Sequence, residues 1–162
     1  IAALNELESL VLLGTNVTDA GLEHLSEMHS LRGIYLGQTS ITDDGLKHFE
    51  DLSKLTEIKV SGCGNVTGAG FRELRSLSTL TCVSASETHF NDSGLEILRE
   101  ATNLEYLYLS DTDVSDIGLD HLGELTRLKR IHLDGTGVTG AGKDRLHNAL
   151  RQKGAQTRIV GL

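Results

Sequence analysis

Three groups of residues in this chain have types and spacings that could support chemistry. The first is Gly135-Thr-Gly-Val-Thr-Gly140, which formally fits the G-x-G-x-x-G loop that binds dinucleotide phosphates. That loop also requires an acidic residue about 20 positions further on, within a βαβ unit of about 30 residues. The corresponding stretch here is Arg158-Ile-Val160, which is not acidic. We therefore interpret these glycines as ordinary loop residues.

Metal binding is the second chemical possibility. Two sets could supply ligands: the histidines His24, His48 and His121, and the acidic run Asp111, Asp113 and Asp116. Only two of the histidines lie in neighbouring segments of the repeat described below. The acidic run lacks the glycine and the terminal glutamate of a calcium-binding loop. We interpret the histidines as solvated surface residues, and we predict no metal and no other cofactor.

Nucleophilic catalysis is the third possibility. The chain has two cysteines, Cys63 and Cys82, and neither a G-x-S-x-G nor an H-E-x-x-H pattern. Two cysteines are too few for a disulfide framework, and their spacing does not fit a zinc site. Because no set of residues combines into a catalytic group, we predict that the chain is not an enzyme.

Composition restricts the partners. The chain of 162 residues has a formal net charge of −8, which disfavours binding to the phosphate backbone of nucleic acids. It contains no apolar run near the ~18 residues of a membrane span. We therefore predict neither a nucleic-acid nor a membrane partner. The sequence opens at Ile1 without an initiator methionine, so the compartment stays open, with the cytoplasm favoured.

An internal repeat supplies the elements that would position these side chains. Segments of about 24 residues begin at Leu7, Leu31, Leu55, Leu80, Leu104 and Leu128. They share the frame L-x-x-L-x-L-x-x-T-x-V-[TS]-D-x-G-L-x-x-L-x-x-[LM]. The alternating apolar residues predict parallel strands near residues 9–12, 33–36, 57–60, 82–85, 106–109 and 130–133.

A short helix is predicted in the second half of every segment. Its N-cap is a residue that can accept a backbone hydrogen bond: Thr18, Thr42, Thr67, Asn91, Ser115 or Thr139. Aspartate follows this cap in four segments, where its charge suits the helix dipole. Glycine stands three residues beyond the cap in all six segments, although it costs about 1 kcal/mol inside a helix. We infer a close backbone approach there, against the strand of the same coil or the next coil.

This frame resembles the leucine-rich repeat, in the 24-residue variant common in bacterial proteins and related to the ribonuclease-inhibitor-like class. The resemblance covers nearly the whole chain and implies an α/β fold. That fold is a right-handed βα superhelix, a curved solenoid with a parallel sheet on its concave face. It also implies that the threonine at the ninth position, replaced by Cys63 in the third segment, bonds to the loop backbone of adjacent coils.

The repeat also predicts how the chain is organised. We expect one leucine-rich-repeat domain over residues 1–162, with residues 1–6 as the end of a preceding repeat. Residues 143–162 read as a C-terminal cap, in which a longer helix ends at Gly154 and a last edge strand follows.

Function is predicted from the concave face, which solenoids use for recognition. All three tyrosines of the chain occupy outward strand positions, and tyrosine and arginine are enriched at interface hot spots. We predict a protein-interaction module whose binding residues are Tyr35, Lys59, Glu105, Tyr106, Tyr108, Lys129, Arg130 and His132. The alternatives are the recognition part of a larger enzyme or ubiquitin-ligase-like adaptor or effector, with its catalytic part outside this chain, and a purely structural spacer.

Overall fold

The computed structural model describes residues 6–161. The predicted end of a preceding repeat, at residues 1–6, therefore lies outside the described residues except for Glu6.

Seven parallel strands form one sheet in which every strand pairs with the next one along the chain. They are β1 Ser9–Val11, β2 Gly33–Tyr35, β3 Glu57–Lys59, β4 Cys82–Ser84, β5 Tyr106–Tyr108, β6 Arg130–His132 and β7 Arg158–Val160. The six predicted repeat strands and the predicted last edge strand are all present. Each repeat strand ends one residue earlier than predicted. Since consecutive strands are in register, equivalent residues of neighbouring coils lie side by side.

Helices cover the other side of the sheet. They are α1 Asp19–Leu22, α2 Asp43–Leu46, α3 Asp92–Leu98, α4 Asp116–Asp120 and α5 Gly140–Gln152. Short 3-10 helices follow α1 and α2 at Glu23–Leu25 and Lys47–Phe49.

The third coil departs from the prediction of an α-helix capped by Thr67. It forms only 3-10 helices, at Ala69–Glu73 and Leu77–Thr79. Gly68 stands where four other coils have aspartate, and it adopts a left-handed conformation with φ 94°. The chain therefore turns at Gly68 instead of entering an α-helix directly after Thr67.

The core lies between the sheet and the helices and runs through all the coils. The second and third leucines of a strand segment point into it, as Leu107 and Leu109 show with no exposed surface. In the fourth coil Ala85 takes the place of a leucine, and Phe90 replaces a valine; both are fully buried. The Phe90 ring packs edge-to-face on Phe71 with ring centroids 6.0 Å apart.

The aspartates after the helix caps connect neighbouring coils. Asp92 accepts the backbone N–H of Ser115 at 2.7 Å and the Ser115 hydroxyl at 2.6 Å. The same double contact joins Asp19 to Thr42, Asp43 to Thr67 and Asp116 to Thr139. The sequence interpretation placed these carboxylates at the helix dipole only, whereas the structure adds hydrogen bonds to the cap residue of the next coil. These bonds occur at four of the five junctions between repeats, the exception being the junction after Gly68, and they stabilise the stacking.

The recurring helix glycines lie against these aspartates. A Cβ at Gly118 would overlap with the Asp92 carboxylate and lie 2.8 Å from Leu95 Cδ1. Gly45 and Gly142 face Asp19 and Asp116 in the same way. The close approach inferred from the sequence is therefore present. Its partner is the helix start of the preceding coil. Of the two partners inferred from the sequence, the strand of the same coil and the next coil, neither is the one found at these positions.

A left-handed residue follows the strand of every repeat, two positions after its last core residue. Its φ lies between 55° and 76° at Gly14, Gln38, Gly62, Glu87, Asp111 and Gly135. The N–H groups of the first five donate to carbonyl oxygens of the next coil, as Glu87 does to Ser110 at 2.8 Å. Gly135, the first glycine of the formal phosphate-loop match, thus makes the turn that all the coils share.

The ninth-position threonines bond within their own coil. In each of the five coils with this threonine, the hydroxyl donates to the carbonyl three residues earlier, as Thr112 does to Leu109 at 2.7 Å. The bonding to adjacent coils implied by the resemblance is therefore wrong for the threonines. It holds for Cys63, whose thiol donates to the Leu36 carbonyl of the preceding coil at 3.2 Å.

Candidate functional site

The predicted binding residues of the C-terminal half form one patch on the solvent face of the sheet. Tyr106 and Tyr108 on β5 are in register with Arg130 and His132 on β6. The intervening Leu107 and Ile131 are fully buried, so the four other side chains share the opposite face. We call these four residues the tyrosine–arginine patch.

Two ring contacts organise this patch. The rings of Tyr108 and His132 are stacked with centroids 5.1 Å apart and an interplanar angle of 26°. Lys129, which precedes β6, holds its Nζ 5.9 Å from the centre of the Tyr106 ring. The tyrosine rings are thus held by neighbours and offer a partner ordered apolar area with polar tips.

Lys129 is already paired with a carboxylate. Its Nζ donates to Glu105 Oε2 at 2.7 Å, and this bond, with the nearby negative charge, raises the pKa of Lys129. Arg130, one residue further on, is exposed and makes no ion pair with any residue between 6 and 161. The two cations predicted from the sequence therefore differ, and only the arginine is available to a partner.

Tyr35 on β2 and Lys59 on β3 form a second group, which β4 separates from the patch. The Tyr35 hydroxyl donates to Glu57 Oε2 at 3.0 Å, and Lys59 Nζ lies 4.7 Å from the centre of the Tyr35 ring. Partial burial and the hydrogen bond to Glu57 raise the pKa of Tyr35. The structure therefore divides the predicted site residues into two clusters on one face.

A trough of about 440 Å³ separates the two clusters. Its floor is β4, where Cys82 and Ser84 are short, and its walls include Lys59 and Tyr108. Cys82 lies on the same face of the sheet as Ser84, but its neighbours cover it to 8% exposure. Burial is the main cause that raises the pKa of the Cys82 thiol, which disfavours the reactive thiolate.

Comparison with solved structures identifies the architecture. An internalin (inlF) from Listeria monocytogenes superposes on 94% of this chain with a TM-score of 0.74 and 18% sequence identity. Internalin C2 from the same species superposes on 99% of it with a TM-score of 0.59 and 20% identity. Both are leucine-rich-repeat proteins. The fold is a leucine-rich-repeat solenoid. The sequence matches no protein-family model and no curated protein.

This chain spans only part of each of these two proteins. It spans 39% of the inlF chain and 83% of the internalin C2 chain. Its open sheet forms the concave face, so the tyrosine–arginine patch, the trough and the Tyr35 cluster all lie on that face.

An apolar groove at the N-terminal end of the concave face was missed by the sequence analysis. It encloses about 330 Å³ and is lined by Val11, Leu13, Tyr35 and Gly37 among others. Val11 and Leu13 are 65% and 59% exposed. The sequence does carry a signal for this groove, because Leu13 follows its strand where the next two segments have Gly37 and Ser61.

The remaining candidate chemistry is not assembled in the described part of the chain. Between residues 6 and 161, no group of three or more His, Cys, Asp or Glu side chains is arranged to hold a metal ion. Cys63 and Cys82 are both buried and unbridged. Within the same residues, no helix combines the length and apolar character needed to cross a membrane.

Proposed function

We propose that this leucine-rich-repeat solenoid is a protein-interaction module that binds a protein partner on its concave face. The observation that carries this proposal is the tyrosine–arginine patch. Tyr106, Tyr108, Arg130 and His132 stand in register on neighbouring strands, facing solvent. Aromatic and arginine side chains grouped in this way are typical of the energetic centre of protein interfaces.

The patch suits binding because its side chains are ordered before a partner arrives. The stacking of His132 on Tyr108 restricts both rings, which reduces the conformational entropy lost on association. Glu105 and Lys129 neutralise each other at the rim of the patch and contribute orientation more than affinity. Tyr35 and Lys59 extend the surface across the trough, so a large partner would contact both clusters.

Affinity capture with matched variants tests this proposal. The immobilised wild-type domain is compared with Tyr106→Ala/Tyr108→Ala and with His24→Ala/His48→Ala, which changes two residues on the helix side. We expect one captured protein to be lost with the tyrosine variant and retained with the histidine variant. Capture that both variants retain equally would overturn the concave-face proposal. Circular dichroism of each variant checks that the solenoid is folded.

A further inference from the structure

Three cations of the concave face are paired with a glutamate, and two are not. Arg32 pairs with Glu8 at 3.4 Å, Lys59 with Glu57 at 3.4 Å and Lys129 with Glu105 at 2.7 Å. Arg130 and Arg158 are both exposed, and neither has a carboxylate at ion-pair distance among residues 6–161. The exceptions are adjacent, at the C-terminal end of the sheet.

The backbone places these two arginines side by side. Arg130 on β6 and Arg158 on β7 are direct partners in the parallel register, and adjacent strands lie about 4.8 Å apart. The next residues of the two strands, Ile131 and Ile159, pack on the core, so both arginines lie on the solvent face. Like charges directly opposite each other on neighbouring strands are destabilising, and a bound anion relieves their repulsion.

Other side chains complete the surroundings of this pair. Tyr106 is in register with Arg130 on its other side, so the order across the sheet is Tyr106, Arg130, Arg158. The next row contains Tyr108, His132 and Val160, which is aromatic and apolar in character. The nearby glutamate, Glu105, is already bonded to Lys129. A partner's carboxylate would therefore meet two arginine forks beside an aromatic wall.

We propose that Arg130 and Arg158 form a carboxylate-binding subsite, and that the partner presents an acidic peptide segment to it. The inference rests on the proposed function, because it names the chemistry of the partner at the same patch. Arginine favours carboxylates because its planar fork can donate two parallel hydrogen bonds to the two oxygens. On a chain of net charge −8, such an isolated cationic pair selects where an acidic segment can bind.

An NMR titration with a defined probe tests the subsite without the natural partner. An acetylated, amidated hexaglutamate peptide is added to the ¹⁵N-labelled domain, and the arginine Nε–Hε signals are followed. The hexaglutamine peptide is the control probe. We expect saturable shifts at Arg130 and Arg158 with hexaglutamate only. Arg158→Gln should weaken binding at least about fivefold, since one charge-assisted fork is lost.

The matched control variant is Arg32→Gln, which removes an exposed arginine already paired with Glu8. We expect it to change the affinity less than about twofold. Equal losses from Arg32→Gln and Arg158→Gln, or the absence of saturable shifts at the two arginines, would overturn the subsite. A failed titration together with tyrosine-dependent capture overturns this inference alone. If the titration succeeds but the Tyr106→Ala/Tyr108→Ala variant captures the same proteins as the wild type, the subsite is supported and only the proposed function is overturned.

Discussion

Asp92 binds the helix cap of the next coil, since its carboxylate accepts both the N–H and the hydroxyl of Ser115 at 2.7 and 2.6 Å. The same contact recurs at three other coil junctions. A solenoid is stabilised mainly by interfaces between neighbouring repeats. At these four junctions a carboxylate bonded across the interface therefore contributes to both the capping and the stacking of the coils.

Removing this carboxylate should destabilise the domain. We expect Asp92→Ala to lower the free energy of unfolding by about 1.5–3 kcal/mol, the range for hydrogen bonds to a charged group. Urea denaturation measures the change. Asp44→Ala is the control, because Asp44 is exposed and also lies in the first turn of a helix. Equal effects of the two substitutions would mean that the bonds to Ser115 contribute little.

The glycine beside the aspartate gives a second prediction. Gly118→Ala should destabilise the domain by about 1–3 kcal/mol, because the new methyl group would displace the Asp92 carboxylate from Ser115. Gly21→Ala is the control in the first coil, where the nearest atom to a new Cβ is Val17 Cγ1 at 3.7 Å. There helix propensity should dominate and stabilise by about 0.5–1 kcal/mol. Thermal melts should show a lower melting temperature for Gly118→Ala and a higher one for Gly21→Ala. A rise in melting temperature for Gly118→Ala would refute the steric explanation.

Acid should weaken the junction at the last repeat helix. Hydrogen bonds from the Thr139 backbone and hydroxyl hold the pKa of Asp116 below its usual range. A lowered folded-state pKa gives stability that is present above the unfolded pKa of about 3.9 and is lost as the pH falls through the folded value. Asp116→Asn removes the titrating group, so its stability should fall less than that of the wild type between pH 5 and 2. If urea denaturation showed the same loss of stability with falling pH for both proteins, this assignment would be contradicted.

The left-handed turns predict that replacing an exposed, charged residue with glycine stabilises the domain. Glu87 has φ 57°, a conformation that costs L-residues about 1–2 kcal/mol, and its side chain forms no ion pair among the described residues. Glu87→Gly should therefore raise the free energy of unfolding by about 0.5–1 kcal/mol, because glycine adopts a positive φ without steric cost. Glu87→Val should lower it. Chemical denaturation measures the stability of both variants. If Glu87→Val were more stable than Glu87→Gly, this interpretation would be wrong.

The sequence was sufficient for the architecture because the repeat samples one local pattern six times. The strand positions, the buried leucines and most helix starts could be predicted, since each depends on residues within one segment. The third coil could not, because the effect of Gly68 depends on a left-handed turn that composition does not specify. Contacts between coils were also missed: the hydrogen bond that Ser115 donates to Asp92 joins residues 23 positions apart, and only the stacked geometry places them together.

In the candidate site, too, the positions of the residues could be predicted from the repeat, but their side-chain contacts could not. The register of the repeats correctly grouped Tyr106, Tyr108, Arg130 and His132 on one face. It could not show that Lys129 is paired with Glu105, because side-chain pairing depends on rotamers. It also missed Arg158, which belongs to a strand outside the repeat frame and lies beside Arg130.

The affinity of the purified domain for its captured partner tests the central claim most directly. Isothermal titration calorimetry would compare the wild type with Tyr108→Ala, and with Glu8→Ala as a control on the first coil. If the tyrosine–arginine patch is the centre of the interface, Tyr108→Ala should cost at least about 2 kcal/mol of binding free energy, and Glu8→Ala less than about 0.5 kcal/mol. Equal losses from both substitutions, or no loss from Tyr108→Ala, would contradict binding at this patch.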